Sequence, residues 1–464
     1  MSVLPDRFLN KKHPHSSANA TSFVSRQVPL NVQKCFASTT INFRIGTQPN
    51  VYIDPTASFL RWKIRNNATA DNGGVASFTL GSAGAPAIFE TINLLNSGSQ
   101  LSHYQNYGVF RSMKNALNCT SDWLKGPGAV MQGTAPAAET VGSTPTDNKL
   151  GLVGATLASG ESRVFVDPIC NHTSLFNSGK MISVDTIDNL DLRYTIGDAG
   201  YAGAWSGTGA ASVTDQSLEF SDFELVLCCV QLDSSTANQL KAAHPDGNIC
   251  YECRGIGRVS STVPTGVSAH NVNLGLGYSS LMALNAVQLP LFKGSNDPQT
   301  LNIDRKVDHQ NSTFVTNNLT KHIFLLDGAP VENLRHIKGD AAEIAAFQQI
   351  ATGNFHKTDG AIVSNAPGGS LGAYSNNKET GNNLSGNKGY VLSQELCIYK
   401  QKSGHWNDSA MAVMCEGRGT LASSTQLALE FAPAAGKEVQ LEVFPEFRQL
   451  IVLDSNTKTY RVSQ

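Results

Sequence analysis

Residues 88–101 read Ile-Phe-Glu-Thr-Ile-Asn-Leu-Leu-Asn-Ser-Gly-Ser-Gln-Leu, and residues 321–334 read Lys-His-Ile-Phe-Leu-Leu-Asp-Gly-Ala-Pro-Val-Glu-Asn-Leu. Each is an apolar run ending in Leu-Leu, turned by Asn96-Ser97-Gly98 or Asp327-Gly328 and continued by a short second run. A tight hairpin needs φ > 0, which Gly, Asn and Asp adopt at least cost, so both stretches predict β-hairpins. A helix is expected after each. Tyr104–Leu117 carries Tyr107, Phe110, Met113 and Leu117 at helical spacing. Asp340–Ile350 carries Ile344, Phe347 and Ile350 on one face, with Asp340 near the end where a carboxylate suits the helix dipole. A long strand then closes each half, Phe220–Leu232 and Val439–Leu453. The same elements in the same order, twice, predict two β-domains in tandem.

The length of 464 residues agrees with that division, since single cores stop growing beyond roughly 250–300 residues. Hydrophobic residues make up 41% of the chain, enough to fill cores. Charged residues are only 16%, against about 25% in ordinary soluble proteins. A surface made polar by Asn, Ser, Thr, Gln and Gly carries less charge to desolvate, which suits burial against other copies. The net charge of −2 argues against a dedicated, sequence-specific nucleic-acid binder, which normally has a basic excess. No apolar run approaches the ~18 residues of a membrane-spanning helix. The first fifteen residues lack the apolar core of a signal peptide, so secretion is not expected. Nine irregularly spaced cysteines do not read as a disulfide framework.

Along the chain, residues 1–22 read as an N-terminal arm that bears Arg7, Lys11 and Lys12. Strands are expected at Val24–Val32, Thr39–Ile45 and Phe59–Ile64. In the last, Leu60, Trp62 and Ile64 alternate with Arg61 and Lys63, the period of a strand with one face in a core. Three stretches, Gly126–Ser162, Gly197–Gln216 and Thr358–Gly389, are poor in strand signal and read as loop insertions, with the first and third expected at one end of the molecule. The units expected are residues 23–236 and 249–464, joined by a linker over 237–248. The fold class is all-β: two tandem β-sandwiches with short helices in loop excursions.

Motifs that could carry catalysis are weak here. Gly368-Gly-Ser-Leu-Gly372 matches the hydrolase Gly-x-Ser-x-Gly pattern but lacks the strand before it and the helix after it that expose such a serine. Cys250-Tyr-Glu-Cys253 is a lone pair, and zinc needs four ligands; on a strand its two thiols would point to opposite faces. Cys228 and Cys229 diverge for the same reason. The Asp304–His309 cluster reads as a solvated or salt-bridged surface. Asn-x-Ser/Thr sequons, such as those at Asn67 and Asn171, are no more frequent than this composition would give by chance. No catalytic, cofactor-binding or metal residues are assigned, and the protein is not expected to be an enzyme.

Several stretches in order resemble double jelly-roll major capsid proteins, most of all those of Polinton-like viruses, adintoviruses and virophages. Asn50-Val-Tyr-Ile-Asp54 followed by Phe59–Ile64 is similar to the family's early aspartate-then-strand element. Leu94–Leu101 and Asn317–Gly328 resemble its two hairpins. Phe223–Asp233 resembles the strand closing its first barrel, and Val439–Asn456 the final strand. The likeness covers most of residues 23–464, and the order of five degenerate motifs carries it. The resemblance implies two eight-stranded jelly rolls per chain and a homotrimeric, pseudo-hexagonal capsomer that tiles an icosahedral double-stranded DNA virus shell. It also implies penton and minor capsid proteins as partners, and an internal membrane where the virion has one. The protein would be made in the host cytoplasm or nucleus, with Arg7, Lys11 and Lys12 contacting the shell's inner side and the long loops projecting outward. The alternative is a jelly-roll carbohydrate-binding protein or glycan-active enzyme, which calls for an aromatic platform or paired carboxylates on a sheet face. Trp62, Trp123, Trp205 and Trp406 are scattered.

Overall fold

The computed structural model describes residues 20–68, 76–81, 83–118, 123, 126–134, 155–185, 187, 189–207, 213–242, 247–291, 317, 319–330, 392–395, 417–432, 434–436, 438–454 and 457–464. In the first half the main strands are β1 (Ala20–Gln27), β2 (Thr40–Gly46), β3 (Val51–Asn66), β4 (Phe89–Asn96), β5 (Ser99–Gln105), β6 (Ile182–Ser183), β7 (Asn189–Ile196) and β8 (Leu218–Leu232). In the second half they are β9 (Asn248–Ile256), β10 (Ala269–Asn273), β11 (Leu281–Pro290), β12 (Leu319–Leu326), β13 (Ala329–Pro330), β14 (Leu392–Glu395), β15 (Thr425–Phe431) and β16 (Val439–Asp454).

Sheet order runs β1-β8-β3-β6 and β2-β7-β4-β5 in the first half, then β9-β16-β11-β14 and β10-β15-β12-β13 in the second. Adding eight to each label converts one half into the other. Two facing sheets with these crossovers are a jelly roll, so the chain is a double jelly roll. The two closing strands, β8 and β16, occupy equivalent central places. Extra strands join the frame: 34–36 pairs with β8, 162–168 with β3, and both 259–263 and 459–463 with β16.

The alternation read in Phe59–Ile64 decides what fills the first barrel. Leu60, Trp62 and Ile64 are fully buried, with Trp62 packed against Phe89 at 5.4 Å and Phe165 at 6.4 Å. In the second barrel Val439, Leu441 and Val443 of β16 face Phe324, Leu427 and Leu429. Trp62 and Trp205 lie in the interior, where neither can serve a surface sugar platform.

Several sequence expectations need correction. β1 begins at Ala20, inside the stretch expected to be arm, and ends at Gln27 rather than Val32. Phe59–Ile64 is only part of a strand that starts at Val51. The first helix, α1, spans Tyr107–Asn118, while Tyr104 belongs to β5. Within Gly126–Ser162 and Gly197–Gln216, strands 156–157 and 203–206 join 77–80 in a small third sheet. Trp205, Phe78 and Leu157 are fully buried there. Strands of two to four residues are too short to show a period in sequence. α2 (Ser234–Ala242) runs from the first unit into the expected linker, and β9 starts at Asn248, its last residue. The expected helix over 340–350, the stretches 358–389, 368–372 and 304–309, and Arg7, Lys11 and Lys12 lie outside the described residues.

Both hairpin turns have φ > 0 at their two central residues: 47° and 87° at Ser97-Gly98, 51° and 77° at Asp327-Gly328. That is the backbone that matches the twist of the flanking strands. No atom lies within 4 Å of a Cβ built at Gly98, so Gly98→Ala should destabilise through backbone strain alone, by about 1–2 kcal/mol. Gly46 ends β2 with equally open space and without a left-handed backbone. There Gly46→Ala should stabilise by about 0.5 kcal/mol. Urea midpoints that move in the same direction for both would contradict this account.

Candidate functional site: the seam between the two halves

The second half's strands run past their own barrel and lie on the first half. On β9, Tyr251 and Cys253 point toward the first half and are buried. The Tyr251 hydroxyl accepts the Ser183 N–H at 3.2 Å and donates to the Met181 carbonyl at 3.4 Å. Burial pushes the Tyr251 phenol and the Cys253 thiol each up to about 12, so both stay protonated at neutral pH. From β16, Gln449 Nε2 donates to the Leu101 carbonyl of β5 at 3.2 Å. Tyr460, in strand 459–463, donates to the Ser99 carbonyl at 2.6 Å. β5 is an edge strand, and these side chains cap carbonyls of the kind that sheet edges leave open.

Helix α1 supplies the other side. Its buried stripe includes Tyr107, Phe110 and Met113, as the spacing predicts. Phe110 meets Phe444 of β16 at 5.6 Å. One turn on, Lys114 pairs with Glu446, whose other partners are Arg254 Nε at 2.8 Å and Asn285 Nδ2 at 2.6 Å. Burial alone would raise the Glu446 carboxyl. The Arg254 and Lys114 charges, with hydrogen bonds from Lys114 and Asn285, outweigh it and hold the group below its ordinary 4.5. Four residues earlier Glu442 is clasped by Arg258, Nε and one terminal nitrogen both at 2.7 Å. Of these pairs Lys114–Glu446 crosses from one half to the other, while Arg254–Glu446 and Arg258–Glu442 brace the second half's side of the seam.

A groove of about 250 Å³ opens along the seam, lined among others by Gln100, His103, Arg258, Tyr278, Phe447 and Gln449. Its aromatic wall is a stacked pair, with the Tyr278 and Phe447 rings 4.0 Å apart.

Sequence reasoning missed a second polar cluster, inside the first barrel. His172 Nε2 lies 2.6 Å from Asp167 Oδ2, and His172 Nδ1 lies 2.7 Å from the Tyr194 hydroxyl. Arg111 of α1 is 3.4 Å from Asp167, and Gln132 donates to the same carboxylate oxygen. Burial keeps the Tyr194 phenol protonated, its pKa well above the ordinary value. Tyr194 therefore donates to Nδ1, and Nε2–H donates to Asp167. An Asp–His pair could move a proton, but Asp167, His172 and Tyr194 are all fully buried, and none of them lines the groove. The cluster braces α1 against the barrel. Only Asp167 and His172 are near each other in sequence, so no motif announces it.

The cysteine expectations can be placed. Cys250 is exposed and Cys253 buried on β9, while Cys228 is half-buried and Cys229 buried on β8. Among the described residues no group of three or more His, Cys, Asp or Glu could hold a metal ion. No described helix is long and apolar enough to cross a membrane.

No protein-family model matches the sequence, and no curated protein matches it. Solved structures do match. The capsid of the virus PBCV-1 aligns over 96% of this chain and 97% of its own, at 11% identity and a TM-score of 0.58. The Faustovirus major capsid protein aligns over 97% and 92%, at 10% identity and 0.57. The Sputnik virophage structure aligns over 100% and 92%, at 13% identity and 0.54. At such identities the shared property is the fold: this chain has the double jelly roll of these viral proteins.

Proposed function

We propose that this protein is the major capsid protein of an icosahedral double-stranded DNA virus and works by assembly rather than by catalysis. The observation that carries the reading is the repeated strand order: two equivalent barrels, β1–β8 and β9–β16, held side by side by a buried seam that the Lys114–Glu446 pair crosses. A chain with two similar barrels offers two near-equivalent corners. Three such chains make a six-cornered, pseudo-hexagonal capsomer whose contacts repeat under symmetry. The end-to-end match to capsid proteins supports this reading over the carbohydrate-binding alternative. Residues 1–19 form an inner arm whose Arg7, Lys11 and Lys12 meet acidic groups of minor proteins, genome or lipid, and pentons close the lattice. The insertions within Gly126–Ser162 and Thr358–Gly389 form the outward towers.

Sedimentation of the purified protein is the direct test. A chain of 49.5 kDa should appear as a particle of about 150 kDa or larger. A monomer near 50 kDa would sink the assembly reading. Deleting residues 1–19, which stop short of β1, should leave the capsomer's size and melting midpoint unchanged while impairing closed particles. Loss of the capsomer on that deletion would place the arm in its core instead.

A further inference from the structure

We infer that the second barrel carries an acid-sensitive layer, His270 and His322 on either side of Leu429, which loosens this barrel below neutral pH while the first barrel holds. The inference concerns the folded chain itself and stands independently of the assembly reading.

The repeated frame marks the layer as a departure. Counted back from the two hairpin turns, Ile92 of β4 and His322 of β12 hold the same place. Ile92 stands opposite Tyr194 of β7, which stands opposite Ile41 of β2. His322 stands opposite Leu429 of β15, which stands opposite His270 of β10. The row Ile41-Tyr194-Ile92 of the first barrel is therefore His270-Leu429-His322 in the second. Both isoleucines are fully buried, so packing in this row does not call for imidazole.

His322 and His270 each lie two residues from a core residue of the second barrel, Phe324 and Val272, and strand alternation turns all four inward. His322 is only 6% exposed, and His270 is half-buried. Nδ1 of His322 and Nε2 of His270 are buried and have no hydrogen-bond partner among the described residues. The inward residues of β15, β16 and β11, from Leu427 and Leu429 to Leu441, Val443, Leu284 and Ala286, are all apolar. The charges nearest in sequence are turned away and already occupied: Lys321 pairs with Glu430 at 2.7 Å, and Glu442 is clasped by Arg258. A proton taken by either ring thus adds a buried charge with no anion to meet it. Burial alone lowers both rings, His322 to about 4. The first barrel's buried histidine is built differently, since His172 has Asp167 at one ring nitrogen and Tyr194 at the other.

His322 takes its proton near 6.5 in the open chain and only near 4 in the folded one. The open form therefore binds the proton first, and the stability that the neutral ring allows is full above pH 6.5 and lost as the pH falls from there toward 4. Because sheets open locally, the loss falls on the strands that carry the layer.

Hydrogen exchange read by mass spectrometry, corrected for the intrinsic effect of pH on exchange, follows each barrel separately. Between pH 7 and pH 5, opening of β10, β12 and β15 should grow about 20-fold more in the parent than in His270→Ile/His322→Ile, which copies the first barrel's row. His322→Gln keeps a buried neutral polar group that cannot titrate, and it should lose most of the same response however the isoleucines pack. β2, β4 and β7 should keep their protection over this range in all three proteins. A parent whose second barrel opens no more at pH 5 than at pH 7 would overturn the inference, as would variants that respond to acid as the parent does. Equal loss of protection in the first barrel would overturn it too.

Discussion

Asp167→Ala is expected to destabilise the first barrel by about 4–5 kcal/mol, at the upper end of what breaking a buried charge pair costs. The Arg111 side chain is only 10% exposed and Asp167 is fully buried, so the guanidinium left behind has little water to turn to. His172 at the same time loses the acceptor for its Nε2 proton. The effect belongs to the charge imbalance rather than to lost volume. Asp167→Asn, nearly the same size, should therefore cost almost as much. Adding Arg111→Met to Asp167→Asn should restore a good part, since a buried pair replaced by apolar groups is often close to neutral. Tyr194→Phe removes only a neutral donor and should cost about 1–3 kcal/mol. Equilibrium urea unfolding of these four variants and of Arg111→Met alone decides it; a double variant as unstable as the sum of its parts would refute the charge argument.

This cluster also marks where the sequence stopped being legible. The hairpins, α1 and the closing strands were visible because each is local: a turn residue pair, a 3.6-residue stripe, a long apolar run. Trp62 was assigned to the core from the alternation around it, and it is fully buried. The Asp167 cluster depends on residues 111, 132, 167, 172 and 194 meeting through the barrel's crossovers, and no local pattern encodes that. The same holds for the seam. The Tyr107-Phe110-Met113 stripe predicted a buried face for α1, but nothing in it says that Phe110 meets Phe444 of the other half. Strand β3 failed differently. Asp54-Pro55-Thr56-Ala57-Ser58 reads as a break, because proline cannot donate to a sheet ladder. The structure runs the strand through it with a register shift opposite Val226/Cys228, and the Ser58 hydroxyl accepts the Cys228 N–H at 2.9 Å. A side chain thus supplies the acceptor where the ladder is irregular, a repair that propensity cannot foresee.

Glu446→Ala should cost about 3 kcal/mol, the lower end of the same range. The reason for the lower figure is geometric. Lys114 and Arg254 keep 22% and 27% of their side chains exposed, so once Glu446 is gone both cations can swing toward water, unlike Arg111. A surface pair gives the scale. Lys321 and Glu430 also bridge neighbouring strands at 2.7 Å, but Glu430 is 52% exposed, and Glu430→Ala should cost no more than about 1 kcal/mol. The pH dependence follows from the sign of the shift. The Glu446 carboxyl is held below its ordinary 4.5 in the folded chain, so its contribution is fully present above pH 4.5. That contribution falls away as the pH drops through the lowered folded value. The parent and Glu446→Gln should therefore differ most in melting midpoint at neutral pH and converge in acid. A difference that stays constant through the acid range would mean that the amide costs stability by packing, and that the charge does not hold the seam. Because Lys114 belongs to the first half and Glu446, Arg254 and Asn285 to the second, weakening this cluster loosens one barrel from the other without emptying either core. A capsomer built from such chains would lose its fixed angle between corners before its barrels unfold, so Glu446→Ala should impair closed shells at temperatures where both jelly rolls remain intact by circular dichroism.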